Sequence, residues 1–341
     1  MAHPTGDRGF NTIQNSSVQK REKNKALQKY TLFGIVTLAA LTAVLVIIMA
    51  LGAIITNLSG TTNKGPDNER VDWGSITVTA TDTLQGDLVL VNNTHVYTFP
   101  QSTDHLKEIY AVYATHTSPR PYVLSGLSKY MDSRALAAMD AMLTDFSAAT
   151  GKNDVQIRYA YRSYEDQKSF SVQPGYSDHH TGLGCQLKYV VESGNNIVAY
   201  DLSLEPVYNW LFENCHKYGF VIRYPADKTD KTGIEDYASY FRYVGVAHAT
   251  YMKEQNLCME EYIEVLKNYT DESPLKINAA DGRYYEVWYV AVDGSATVKH
   301  PTNYAYTVSG TNEGGVVVTV DRSKALESEA ETTVASDTAA G

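Results

Sequence analysis

Cysteine is scarce in this chain. Only Cys185, Cys215 and Cys258 occur among 341 residues, widely spaced and without a C-x-x-C pair. No disulfide framework is implied, and an odd number leaves at least one free thiol, although one bridge remains possible. Basic residues are also few. The 29 Lys and Arg face 39 Asp and Glu, a net charge of −10. The basic side chains gather at the start: Arg8, Lys20, Arg21, Lys23, Lys25 and Lys29 stand against Asp7 and Glu22. Residues 1–29 are therefore at +4 and the remainder at −14. A body this acidic argues against nucleic acid as a partner. Charge of either sign is missing altogether from 30–58. That run exceeds the ~20 residues that cross a bilayer, and the 7–15 of a signal peptide. The basic cluster before it puts the N-terminus in the cytoplasm and residues from about 60 onward outside.

Beyond that anchor the chain has globular patterning, rich in tyrosine and glycine. Residues 59–73 are polar with Gly and Pro and read as a linker. Short β-like runs follow at 75–80, 87–91 and 95–99. Leu136, Met139, Met142, Leu143 and Phe146 recur at helical spacing within 133–150, and Gly151 ends the run. A strand is expected at 155–161, a helix at 204–219, a strand at 220–224 and a helix at 254–268. Alternating runs at 285–292 and 316–320, with turns at Asp293-Gly294 and Gly314-Gly315, predict a small β appendage. The last residues, 323–341, have few large apolar side chains and read as a disordered tail. The expected organisation is a basic segment (1–29), a transmembrane helix (30–58), a linker (59–73), a main domain (74–270), a β appendage (271–322) and a tail (323–341).

Several phrases stand in a telling order: YRSYEDQ (161–167), PGYSDHHTGLGCQ (174–186), FVIRYP (220–225), KTG (231–233) and FRYVGVAHA (241–249). This ordered set resembles the VanY-like (M15B) D-alanyl-D-alanine carboxypeptidases. The resemblance runs from about Gly86 to about Leu266. It implies an α+β fold, a mainly antiparallel sheet with packed helices.

The family motif S-x-H-x-x-G-x-A-x-D supplies a His and an Asp to a zinc ion. Here Ser177 and His179 match, but Gln186 stands at the Asp position. A second family motif, E-x-W-H, supplies the third ligand and the general base. Aligned on Thr232-Gly233 and Phe241-Arg242-Tyr243, this chain has Tyr237 for the base and Tyr240 for the ligand. The resemblance thus implies that two of three zinc ligands and the base are replaced. A phenol with a free pKa of ~10 is a poor ligand and a poor base at neutral pH. No cofactor is therefore expected to be held, although the family uses zinc.

The positions implied to hold a peptide's terminal carboxylate survive as Arg162 and Ser177, with Gln167 nearby. A guanidinium fork suits a carboxylate. The alternative for Arg162 is a structural ion pair, and for His179 a core histidine. Cys185 is read as a small buried hydrophobe rather than a nucleophile. Three functional readings stand open. The first is a membrane-anchored pseudopeptidase that binds peptidoglycan stem peptides or a cell-wall protein of a bacterium. The second is a working carboxypeptidase rebuilt on His179 with Glu235 or Asp236. The third is an envelope scaffold that docks a partner through the β appendage.

Overall fold

The apolar spacing at 133–150 produces the helix it predicts. In the computed structural model, which describes residues 70–325 except Asn195, Asp236 and Ala238, helix α1 spans Ser133–Thr150. The Asp132 carboxylate caps its first turn by accepting the amides of Arg134 and Ala135. Gly151 ends it in the left-handed region at φ 72°, which glycine enters without a Cβ clash. The segments 1–29 and 30–58, linker residues 59–69 and tail residues 326–341 lie outside the described residues, as does Asp236.

The strands that carry the fold are β1 (Trp73–Thr79), β2 (Val155–Tyr159), β3 (Gly184–Ser193), β4 (Asn196–Tyr200), β5 (Phe220–Ile222), β6 (Tyr240–Tyr243), β7 (Leu275–Asn278), β8 (Tyr284–Ala291), β9 (Ser295–Pro301), β10 (Tyr304–Gly310) and β11 (Gly315–Ala325). The central sheet runs β2-β3-β6-β5, antiparallel throughout, with β4 folded back on β3 and a short strand, Val123–Leu124, parallel to β2. Its buried face meets α1. Met139, Leu143 and Phe146 share one core with Ile157, Leu187 and Phe241. A mainly antiparallel sheet with packed helices is the expected α+β class.

Four details differ from expectation. Of the three runs in 75–99, only the first is a strand, and β1 pairs with β9 rather than with the main domain. An amphipathic strand carries the same alternation whichever strand it joins, so its partner is not legible locally. The stretch 87–91 forms no strand, although Leu88, Val89, Leu90 and Val91 are buried. The helix expected over 204–219 is broken into 3-10 turns at Pro206–Tyr208 and Cys215–Tyr218 around a short helix, Asn209–Asn214. The helix expected over 254–268 is the shorter α3 (Met259–Leu266), and an unexpected helix, α2 (Val246–Glu254), precedes it, the two parted by Asn256 at φ 50°.

The appendage is also no separate body. The sheet β7-β8-β11-β10 places Leu275, Ile277, Val287 and Val317 in one core with Leu88, Leu90, Met252 and Ile263. Strand β11 continues to Ala325, past the boundary expected at 322. All three cysteines are free and buried.

Candidate functional site

The site forms where the chain leaves β2 and where β3 and β6 begin. After Tyr159 the chain reaches Arg162, and Ser163 then caps the short helix Tyr164–Gln167. The Ser163 hydroxyl accepts the Asp166 amide (3.1 Å), and the Asp166 carboxylate accepts the Ser163 amide (3.3 Å). This reciprocal capping fixes a one-turn helix too short to stand alone. Its last residue, Gln167, is fully buried. The Gln167 amide oxygen accepts from Arg162 Nη1 (3.3 Å), and its nitrogen donates to the Val172 carbonyl (2.9 Å). The Phe170 ring lies 3.7 Å from the Arg162 guanidinium carbon. Backbone contacts hold the other end of Arg162. Its amide donates to the His179 carbonyl (3.2 Å), and its carbonyl accepts from His180 Nδ1 (2.7 Å).

The second nitrogen of His180 accepts the Gly175 amide (3.0 Å), so both ring nitrogens are used and the ring is neutral. Burial lowers the His180 pKa accordingly. Ser177 sits buried at the head of the 3-10 turn Asp178–Thr181.

Arg162 itself has no carboxylate partner among the described residues. Half-burial pulls its pKa below the ordinary guanidinium value, and only Tyr237, Tyr240 and Tyr159 oppose the shift. The alternative of a structural ion pair has no acid to support it here.

His179, Gln186, Tyr237 and Tyr240 lie together beside this guanidinium. Gln186 on β3 faces Tyr240 on β6 across the ladder. His179 Nδ1 donates to the Ala160 carbonyl (2.8 Å), which leaves Nε2 as the lone-pair nitrogen. Burial, with Arg162 nearby, brings the His179 pKa down to about 3. Its ring stands edge-on to Tyr240 at 4.6 Å. Tyr240 in turn stacks with Tyr237 at 5.7 Å and tilts against Tyr224 at 5.7 Å. The Tyr240 hydroxyl donates to Asp178 Oδ2 (3.1 Å). Burial and that carboxylate push its pKa well above the phenol value. Burial likewise brings Tyr237 up to about 12. Gln186 donates its amide nitrogen to the Ser239 hydroxyl (3.3 Å).

These donors do not fit a catalytic zinc. Such a site takes three good ligands and keeps one position open. Here one neutral imidazole is joined by an amide turned toward Ser239 and a phenol that holds its proton against Asp178. No group of three His, Cys, Asp or Glu side chains is arranged to hold a metal among the described residues. Glu235, a candidate substitute, is exposed to solvent.

A buried ion network beneath the tyrosines was not legible as a unit. Asp178 pairs with Arg242 Nη1 and lies 3.8 Å from Arg223 Nε. Arg223 makes a two-pronged pair with Glu260 (2.9 and 2.7 Å), which also accepts from Asn92 (3.1 Å). Arg242 Nη2 donates to the carbonyls of Asp87 (2.9 Å) and Val89 (3.3 Å). Both arginines are fully buried. Two cations against two carboxylates leave the cluster balanced. The signal in the sequence was an arginine inside each of two apolar runs, FVIRYP and YFRYVG.

Cys185, next to Gln186, is fully buried and its thiol pKa is raised by that burial. It behaves as a core residue, not a nucleophile.

The family model described as VanY, D-alanyl-D-alanine carboxypeptidase, matches residues 128–246. A D-alanyl-D-alanine carboxypeptidase of Enterococcus faecium is 31% identical over 253 residues, covering 72% of this chain and 78% of the relative. The bifunctional D-Ala-D-Ala dipeptidase and D-Ala-D-Ala carboxypeptidase VanXYC of Enterococcus gallinarum is 27% identical over 135 residues, 35% of this chain and 71% of the relative. Among solved structures, the vancomycin-resistance D,D-dipeptidase VanXYg superposes with a TM-score of 0.62 at 23% identity, over 73% of this chain and 99% of the other, and so shares the fold. By sequence and fold together, the chain belongs to the VanY-like D-alanyl-D-alanine carboxypeptidase family.

Proposed function

We propose that this protein is anchored in the cell membrane by residues 30–58. Its folded part faces outward, where it binds the carboxylate end of peptidoglycan stem peptides without cutting them. The observation that carries this reading is Arg162. A half-buried guanidinium, gripped by Gln167 and Phe170 and with no carboxylate partner among the described residues, is prepared for an anionic ligand. Beside it, the positions that would activate water are a glutamine and two protonated tyrosines. The relatives' action on D-Ala-D-Ala supports a terminal D-alanine carboxylate as that anion.

One observation favours a second reading, a working carboxypeptidase. His179 keeps its Nδ1–H on a backbone carbonyl, the arrangement that aims Nε2 at a metal. Two measurements on the full-length chain in detergent separate the readings. The first is binding and D-alanine release with an acetylated peptide ending in D-Ala-D-Ala. The second is zinc content after dialysis against the metal. Binding without release and without zinc is expected. Arg162→Gln should weaken binding by about 1.5–3 kcal/mol, the usual worth of a hydrogen bond to a charged group. Release of D-alanine that disappears in His179→Ala would overturn the non-hydrolytic reading.

A further inference from the structure

Arg162 is not alone. On a chain of net charge −10, two half-buried arginines flank Tyr159, and the half-buried Lys129 lies close enough for its charge to act on theirs. The guanidinium carbons of Arg162 and Arg158 lie 5.0 and 5.6 Å from the centroid of that one ring. Arg158 reaches it because the β2–β3 ladder slips there. Ile157 pairs with Leu187 and Tyr159 with Gln186, so Arg158 is the extra residue of a bulge. A bulge re-aims a side chain that a regular strand would send to the opposite face.

Lys129 completes the group from the preceding turn. Its carbonyl accepts the Ile109 amide (2.8 Å), and the neighbouring Tyr130 carbonyl accepts the Tyr161 amide (3.0 Å). Burial and both arginines depress the Lys129 ammonium pKa.

None of the three has a carboxylate within ion-pair distance among the described residues. Four acids of the adjoining segments are already engaged. Glu165 pairs with Lys168 (2.7 Å), Asp132 with Arg134 (3.1 Å), Asp201 with Lys188, and the Asp166 carboxylate accepts from the Ser163 amide and hydroxyl. Like charges held together in partly desolvated positions repel one another, and bound anions relieve that repulsion.

We propose that Arg158 and Lys129 form a second anion subsite beside Arg162, so that the ligand is a peptide with two acidic groups. Its C-terminal carboxylate sits at Arg162, and a side-chain carboxylate one or two residues earlier sits at Arg158 and Lys129. A residue in extended peptide spans ~3.4 Å, so a side chain two residues back can reach the far side of the Tyr159 ring. This inference rests on the reading that Arg162 takes a terminal carboxylate.

The test compares two peptides on the full-length chain by calorimetry. Both are acetylated and end in D-Ala-D-Ala, and they differ only in Glu or Gln as the preceding residue. The Glu peptide should bind on the order of tenfold tighter, as one added charge-assisted contact gives. The ratio should shrink toward one at about 1 M salt, where the screening length is about 3 Å. Arg158→Gln and Lys129→Gln should each shrink it, and Arg158→Lys should retain it, which separates lost charge from lost folding. Equal binding of the two peptides to the wild-type chain would reject the second subsite and leave the terminal-carboxylate reading standing. A Glu preference that survives in both Gln variants would reject these two residues as its cause. Binding of neither peptide would overturn both readings.

Discussion

At the scale of single residues, the deepest consequence lies at Asp178. Its carboxylate answers one buried arginine directly, faces a second, and takes the Tyr240 hydroxyl. Removing one member of a buried, paired cluster leaves an uncompensated charge in a poorly solvated place. Asp178→Asn is nearly isosteric, yet it should lower folding stability by about 3–5 kcal/mol. Urea denaturation measures this, and a midpoint equal to wild type would show that the network carries no such weight. In the sequence Asp178 was only a neighbour of His179. Motif order assembled Arg162, Gln167, Ser177, His179, Gln186, Tyr237 and Tyr240, because it keeps its spacing along the chain. It could not show that Tyr240 turns its hydroxyl to Asp178, since that depends on a distant 3-10 turn meeting β6 and on Arg223 arriving from the end of β5.

At the scale of elements, β1 is the informative piece. It pairs with β9 across seven residues and buries Val78 against Trp288 and Val298. The exposed Trp73 stands edge-on to Trp288 at 6.1 Å. A chain that starts after Thr79 therefore loses half of a two-stranded ribbon and uncovers Trp288. Its stability should fall by at least about 1.5–3 kcal/mol, the worth of one buried apolar side chain. The tryptophan emission should shift to the red. An unchanged urea midpoint and spectrum would contradict the pairing. The shared core of α2, α3, β7 and β8 has a related effect. Deleting the C-terminal sheet to test a docking role would expose Leu88, Leu90, Met252 and Ile263, and would unfold more than it removed.

At the scale of the whole molecule, the buried histidines set the response to acid. His179 and His248 are buried neutral, brought down to about 3 and about 4 by desolvation, with Arg162 adding to the shift at His179. Their folded pKa values lie below the unfolded value of ~6.5. Between those limits the unfolded chain binds more protons than the folded one, so stability rises with pH. The contribution is complete above about pH 6.5 and is lost as pH falls toward 4, at up to about 1.4 kcal/mol per pH unit for each histidine. Glu260 adds to the loss at lower pH. Burial alone would raise its carboxyl, but Arg223 and Asn92 hold it below the ordinary carboxylate range. Urea midpoints at pH 7.5 and 5 should differ in that sense, and equal midpoints would refute the assignment of neutral buried rings.

The sequence by itself determined the family, the helix at 133–150 and the alternating strands after residue 284. These are local properties: periodicity, capping residues and the spacing of short phrases survive in one dimension. Only the tertiary structure decided that β1 belongs with β9, that 204–219 breaks into turns, and that the C-terminal sheet shares its core with α2 and α3. It alone set Arg158 and Arg162 on one ring with Lys129 nearby and, among the described residues, no carboxylate at ion-pair distance. Such outcomes depend on which distant surfaces meet, and the free energy of burying or pairing a group belongs to the meeting rather than to either segment.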